Sequence, residues 1–223
     1  MTSPSAKTAN TSAPSARRVQ TQERLMAGAV GVFAERGIIG ASVEEICEAA
    51  GFTRGAFYSN FADKDDLVLA MIRHDSEQAQ QTVRDLSARL VQAGRLAGNP
   101  PGTLINMALN GLFGDVAKEP EAVLARHEID LYAIRRPDLR VAYQQYLDQL
   151  YGNLGELVEQ ALTAIGIEFT VDYRVAISML HACASRIELA ALLADAPADP
   201  TPMEELLKAI SRPVRQDGPH NHC

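Results

Sequence analysis

From about Arg17 to Ser211 the apolar residues recur at intervals of three and four, almost without interruption. No stretch shows sustained alternation of β-branched residues, so the chain is expected to be all-α, with strands absent. Its 223 residues, 47% of them hydrophobic, are enough for a real core in one or two domains. The spacing predicts helices over about 17–36, 43–50, 54–61 and 64–91, then over about 103–117, 120–135, 138–165, 172–194 and 203–211. Gly94 to Gly102 (GRLAGNPPG) is the clearest internal loop, and Pro120 and Pro137 sit where a first-turn proline is tolerated.

Residues 1–16 are mostly Ser, Thr, Ala and Pro and offer almost nothing to bury, so a disordered arm is expected there. The tail 212–223, with two Pro, one Gly and two His, reads the same way. There is no apolar h-region near the start and no uncharged apolar run approaching the roughly 18 residues of a membrane span, so no membrane partner is expected. Cys47, Cys183 and Cys223 are odd in number and have neither metal-ligand nor C-x-x-C spacing, which points to a reducing cytoplasm. The net charge of −7 excludes a protein that coats nucleic acid by charge alone. The stretch from Arg17 to Lys64 is nevertheless neutral, with six basic and six acidic residues.

That neutral stretch carries the informative motif. Ser42 and Glu45 form an S-x-x-E capping box opening a helix that buries Val43, Ile46 and Ala50, and Gly51 ends it after two turns. Thr53 caps the next helix, where Phe57 and Phe61 lie one turn apart on one face. Two short helices across a tight glycine turn describe a helix-turn-helix. Gly55 and Ala56 keep its leading edge slim, so backbone amides can approach phosphates. Thr53, Arg54, Tyr58, Ser59 and Asn60 offer hydrogen bonds to base edges and backbone in a major groove.

The run TRGAFYSNFADKDDL, preceded by a two-turn helix ending AAGF, resembles the DNA-binding signature of the TetR (tetracycline-repressor) family of bacterial transcription regulators. The pattern AVGVFAERGIIGASVEEIC before it matches as well, and the likeness covers about residues 17–72. The resemblance implies a phosphate contact from Ser42, a backbone contact from Tyr58 and a phosphate clamp at Lys64. It also implies base reading by Thr53, Arg54, Gly55 and Ser59 or Asn60. Where the family has Ser or Thr this chain has Ala56, and a methyl–thymine contact takes the place of that hydrogen bond. Arg17 and Arg18 are expected at the adjacent minor groove. The expected organisation is an arm (1–16), a three-helix helix-turn-helix DNA-binding domain (17–66), a C-terminal helical bundle for ligand binding and dimerisation (67–211) and a tail (212–223).

In the second domain the helix at 172–194 carries two apolar stripes, Val175–Met179–Ala182–Leu189 and Ile177–Leu180–Ala184–Ile187–Ala191. The helix before it is also too broadly apolar for one face. Both are expected to pack within the subunit and against a symmetry mate, giving a four-helix homodimer interface. The resemblance implies a small-molecule effector in the helical core and a palindromic double-stranded DNA operator. Met107, Asn110, Phe113, His127, Leu131, Tyr146 and Met179 combine inward phase with polar or polarisable atoms and are the candidate pocket. His127 and His181 also have a plainer reading as hydrogen-bonded core histidines. P-loop, G-x-G-x-x-G, G-x-S-x-G, S-x-x-K and H-E-x-x-H patterns are absent, so no catalytic residue, metal site or cofactor is expected. The function expected is a ligand-responsive regulator, most simply a repressor released by a small hydrophobic or amphipathic molecule. The alternative is a dimeric small-molecule-binding or interaction protein whose helix-turn-helix has lost DNA affinity.

Overall fold

The computed structural model describes residues 16–97, 103 and 120–214. The expected arm, apart from Ala16, lies outside them. So do the expected helix at 103–117 beyond Thr103, and with it Met107, Asn110 and Phe113. Among the described residues there are eight helices: α1 Ala16–Gly40, α2 Val43–Ala50, α3 Arg54–Tyr58, α4 Lys64–Ala97, α5 Pro120–Arg135, α6 Pro137–Ala164, α7 Tyr173–Ala194 and α8 Thr201–Ile210. The class is all-α, as expected, with one small exception. Ile167–Phe169 (β1) pairs antiparallel with Ser211–Pro213 (β2), Ile167 opposite Pro213. Three-residue strands are too short to show a period, and the partners are far apart in sequence. The start of the expected disordered tail is therefore ordered by pairing.

Local chemistry explains most of the boundaries. In α1, Leu25, Ala29 and Phe33 follow one another at four-residue steps and are fully buried. Gly37, where the first helix was expected to end, has φ +67° and kinks the chain into a last turn that buries Ile38. Gly28 is needed for a different reason. A Cβ there would lie 2.9 Å from the Cβ and N of Ala50, so glycine lets α2 cross α1 closely. Helix α4 runs through Gly94 to Ala97, overrunning the expected loop, because one glycine disfavours a long helix by only about 1 kcal/mol.

Helices α1 to α3 and the first turns of α4 close around one core with Leu25, Phe33, Ile46, Phe57 and Leu67 fully buried, to which α5 adds Ala125, Ile129 and Tyr132. Helix α5 rests on α1, α6 on α4, and α7 between α6 and α8. Leu131, expected to point inward from α5, is 43% exposed, and Leu124 and Ile134 on the same side are exposed with it, while His127 stays half-buried. Val123, Ile129, Tyr132 and Ala133 are buried instead. Apolar residues surround α5, so periodicity alone could not choose its inner face. In α7 the Ile177–Ile187–Ala191 side is buried, while Val175, Met179 (40% exposed) and Leu193 (81%) are uncovered in the single chain. By length and a mean hydropathy of 1.4, α7 is also apolar enough to cross a bilayer, which the search for uncharged runs missed. Here it docks on α6 and α8, with its Glu188 bridged to Arg126 of α5 at 2.8 Å.

Candidate nucleic-acid interface and core cavity

The turn between α2 and α3 follows from its residues. Ser42 Oγ accepts from the Glu45 amide (3.2 Å), and Glu45 Oε2 accepts from the Ser42 amide (2.9 Å) and hydroxyl (2.8 Å). These bonds hold the Glu45 carboxyl below its ordinary range. At the far end Gly51 takes φ +70°, and the Phe52 amide reaches back to the Cys47 carbonyl at 2.8 Å. Arg24 lies over the Phe52 ring and donates to the Ala50 carbonyl at 3.1 Å, so the turn is held from α1. Thr53 Oγ1 then caps α3 by accepting from the Ala56 amide at 3.3 Å. Buried Phe57 and Phe61 fix the rotation of α3, leaving Thr53, Arg54, Gly55, Tyr58 and Ser59 outward.

The expected contact residues differ in how available they are. Tyr58 is half exposed, its ring edge-on to Phe57. Arg54 is paired with Glu44 at 2.5 Å, both side chains more than half exposed. Ser59 Oγ donates to the Ala56 carbonyl (2.8 Å), and Asn60 Nδ2 donates to the same carbonyl (2.9 Å) and to Ser59 Oγ (3.2 Å). Asn60 therefore folds back as a C-terminal cap, with Oδ1 buried and unpaired among the described residues. The hydroxyl of Ser42 is engaged in the capping box. Lys64 Nζ donates to the carbonyls of Ile38 and Ala41, both at 2.6 Å, stitching α4 to the end of α1, and burial lowers its pKa. Arg17 and Arg18 sit exposed in the first turn of α1 rather than on a loose arm.

Next to Lys64 stands a cluster that sequence reasoning did not single out. Asp65 accepts from Tyr132 Oη and from Arg136 Nη2, both at 2.6 Å, and Arg136 Nη1 donates to Tyr132 Oη at 3.0 Å. Burial and Asp65 push the Tyr132 phenol up to about 12. Helix α5 is thus fastened to the first turn of α4.

One turn further up, α5 and α4 wall a cavity of about 530 Å³, closed by α6, α7 and α8. Leu147, Leu150, Leu154, Leu162 and Ile177 make its apolar side. Asp75, Arg126, Asp130, Tyr143, Tyr146 and His181 make its polar side. Tyr143 donates to Asp130 and stacks on Tyr146, ring centroids 5.7 Å apart. Burial raises the Tyr146 phenol to about 12, with the Asp75 charge adding to it. His181 shares a 2.8 Å hydrogen bond with Tyr151, and desolvation lowers its pKa. Of the expected pocket residues, Tyr146 lines this cavity. Leu131 and Met179 do not: both face outward, for the reasons given by the helix phases above. His127 lies beside it, Nδ1 3.6 Å from Asp130 and Nε2 buried without a partner among the described residues.

Residues 25–71, which span α1 to the start of α4, match the family model for bacterial regulatory proteins, tetR family. Over 78 residues the chain is 37% identical to the HTH-type transcriptional repressor AcnR of Corynebacterium efficiens, covering 35% of this chain and 42% of that one. It is 36% identical over 74 residues to the HTH-type transcriptional regulator CymR of Pseudomonas putida, covering 33% and 36%. The chain thus spans about two fifths of the length of these curated relatives. A tetR-family regulator structure from Mesorhizobium loti covers 87% of this chain and 95% of its own at a TM-score of 0.63 and 20% identity. SmeT, the repressor of the Stenotrophomonas maltophilia multidrug efflux pump SmeDEF, covers 86% and 90% at 0.57 and 18%. At such identities the likeness is one of fold. Motif, family match and fold agree: residues 25–71 carry the DNA-binding pattern of the tetR family of bacterial regulatory proteins, and the chain shares the fold of solved tetR-family regulators.

Proposed function

We propose that this protein is a cytoplasmic, homodimeric transcriptional repressor that leaves a palindromic operator when a small molecule occupies the cavity. The observation that carries this reading is the double use of α4. Its first residues, Lys64 and Asp65, fasten the DNA-binding head, and its next turns, at Ile72, Asp75 and Ala79, wall the cavity. A change of cavity shape therefore moves the joint under the recognition helix. The uncovered Val175–Met179–Leu193 side of α7 supplies an apolar face for a second copy. Two-fold pairing presents two α3 helices, which must sit about 34–36 Å apart to enter successive major grooves. A ligand that favours another separation by about 1–3 kcal/mol releases much of the DNA.

On the DNA itself, Thr53, Arg54, Gly55, Ala56 and Tyr58 are the reading and backbone-contacting residues. The Arg54–Glu44 pair is exposed and contributes about 0–1 kcal/mol, so a base or phosphate can displace Glu44. The engagement of Lys64 and Arg54 within the head, and the head's neutral charge, favour the second reading, a dimeric ligand-binding or interaction protein with a degenerate helix-turn-helix. Fluorescence anisotropy with the DNA upstream of the gene separates the two. A repressor binds specifically, with log affinity falling linearly in log salt. No binding at low salt supports the second reading.

A further inference from the structure

We propose that the cavity takes an amphipathic organic cation, a protonated amine or quaternary ammonium on an apolar body, with Asp75 as its counter-ion. This rests on the reading of the cavity as the effector site and adds the chemical class of the occupant. Among the described residues, three carboxylates (Asp75, Asp130, Glu188) and one guanidinium (Arg126) line the space, an acidic balance. Two of the carboxylates already have partners: Glu188 holds Arg126 at 2.8 Å, and Asp130 accepts from Tyr143. Asp75 makes no hydrogen bond or ion pair among the described residues and lines the cavity from an exposed position on α4, with the Arg126 charge acting on it.

The Asp75 carboxylate is exposed and so available to a ligand, and desolvation on its cavity side raises its pKa against the attraction of Arg126 and His74. A bound ammonium would pair with it directly. Beside it, Tyr143 and Tyr146 form a stacked pair whose rings suit a cation's flank. The leucine side accepts a hydrocarbon body, and about 530 Å³ is the size of site that holds a drug-sized molecule. A carboxylate ligand meets the opposite situation, since the one guanidinium is already paired.

The test is calorimetric titration of the full-length protein at pH 7 with decylamine, 1-decanol and decanoate below their micellar concentrations. Asp75→Asn, which keeps the side chain's shape, is titrated in parallel. Decylamine should bind one per subunit, at least about tenfold tighter than 1-decanol, with decanoate weakest. Asp75→Asn should bring decylamine to near parity with 1-decanol. Decanoate binding as tightly as decylamine, an unchanged preference in Asp75→Asn, or no decylamine binding overturns the assignment. The wild-type ranking decides alone if the variant is unstable. Specific DNA binding without cation preference removes this inference and leaves the regulator; cation preference without DNA binding does the reverse.

Discussion

The head and the body of this molecule are packed to different standards. The largest fully buried side chains among the described residues, Phe33, Phe57, Leu25, Ile38, Ile46, Leu67 and Val68, all fall between positions 25 and 68. The body encloses a cavity of about 530 Å³, and its separate buried cluster consists of Ile187 and Met203 with half-buried neighbours. Close packing leaves one arrangement of side chains, which suits a surface that must meet DNA in fixed register. A body that leaves a cavity among its described residues has room for a ligand, which suits a part that responds to one.

Mutations can break or sharpen that contrast. Phe57→Ala removes a fully buried ring from the head and should destabilise it by about 3–5 kcal/mol, read as a fall in the urea midpoint. Asp65→Asn should have an intermediate effect, about 1–3 kcal/mol, because it strips a charged acceptor from Tyr132 and Arg136. It should also weaken the link between ligand and DNA, so that decylamine no longer shifts DNA affinity; unchanged linkage would show that the signal bypasses this clamp. Leu154→Ala, in the cavity wall, should reduce stability by only about 1 kcal/mol, since the side chain is half-buried and gives up fewer contacts. If it matched Phe57→Ala, the two regions would be equally packed and the contrast would fail.

The smallest effect concerns pH. The capping box lowers the folded-state pKa of Glu45 from its ordinary 4.5, so its contribution is complete above that value and is lost as pH falls through the lower folded one. Wild type and Glu45→Gln should differ in urea midpoint at pH 7 and converge below 4.5. A gap that persists at low pH would assign the difference to the hydrogen bonds of the box rather than to charge.

The head was legible in the sequence because its instructions are local. Ser42 with Glu45, Gly51, Thr53, and Phe57 with Phe61 each act within a few residues of themselves. The cavity was not, because it is walled by five helices that are far apart in sequence. Asp75 and Asp130 look like the solvated side of a helix until those helices are assembled. The same long-range choice turned Leu131 and Met179 outward and brought Asp65 to Arg136. Lys64 shows a subtler limit. Its position was predictable, whereas the Ile38 and Ala41 carbonyls it binds were brought near by the kink at Gly37.

The short ribbon has one more consequence. With β2 paired to β1, the Thr170 amide on the Ile210 carbonyl (2.8 Å) and the Val214 amide on the Gly166 carbonyl (2.9 Å), the stretch from Gly166 to Val214 closes into a loop that contains α7 and α8. Anyone trimming or tagging the carboxyl end just past Ile210 would be unbuckling the strap that sets the pose of α7, and with it the seat offered to a twin.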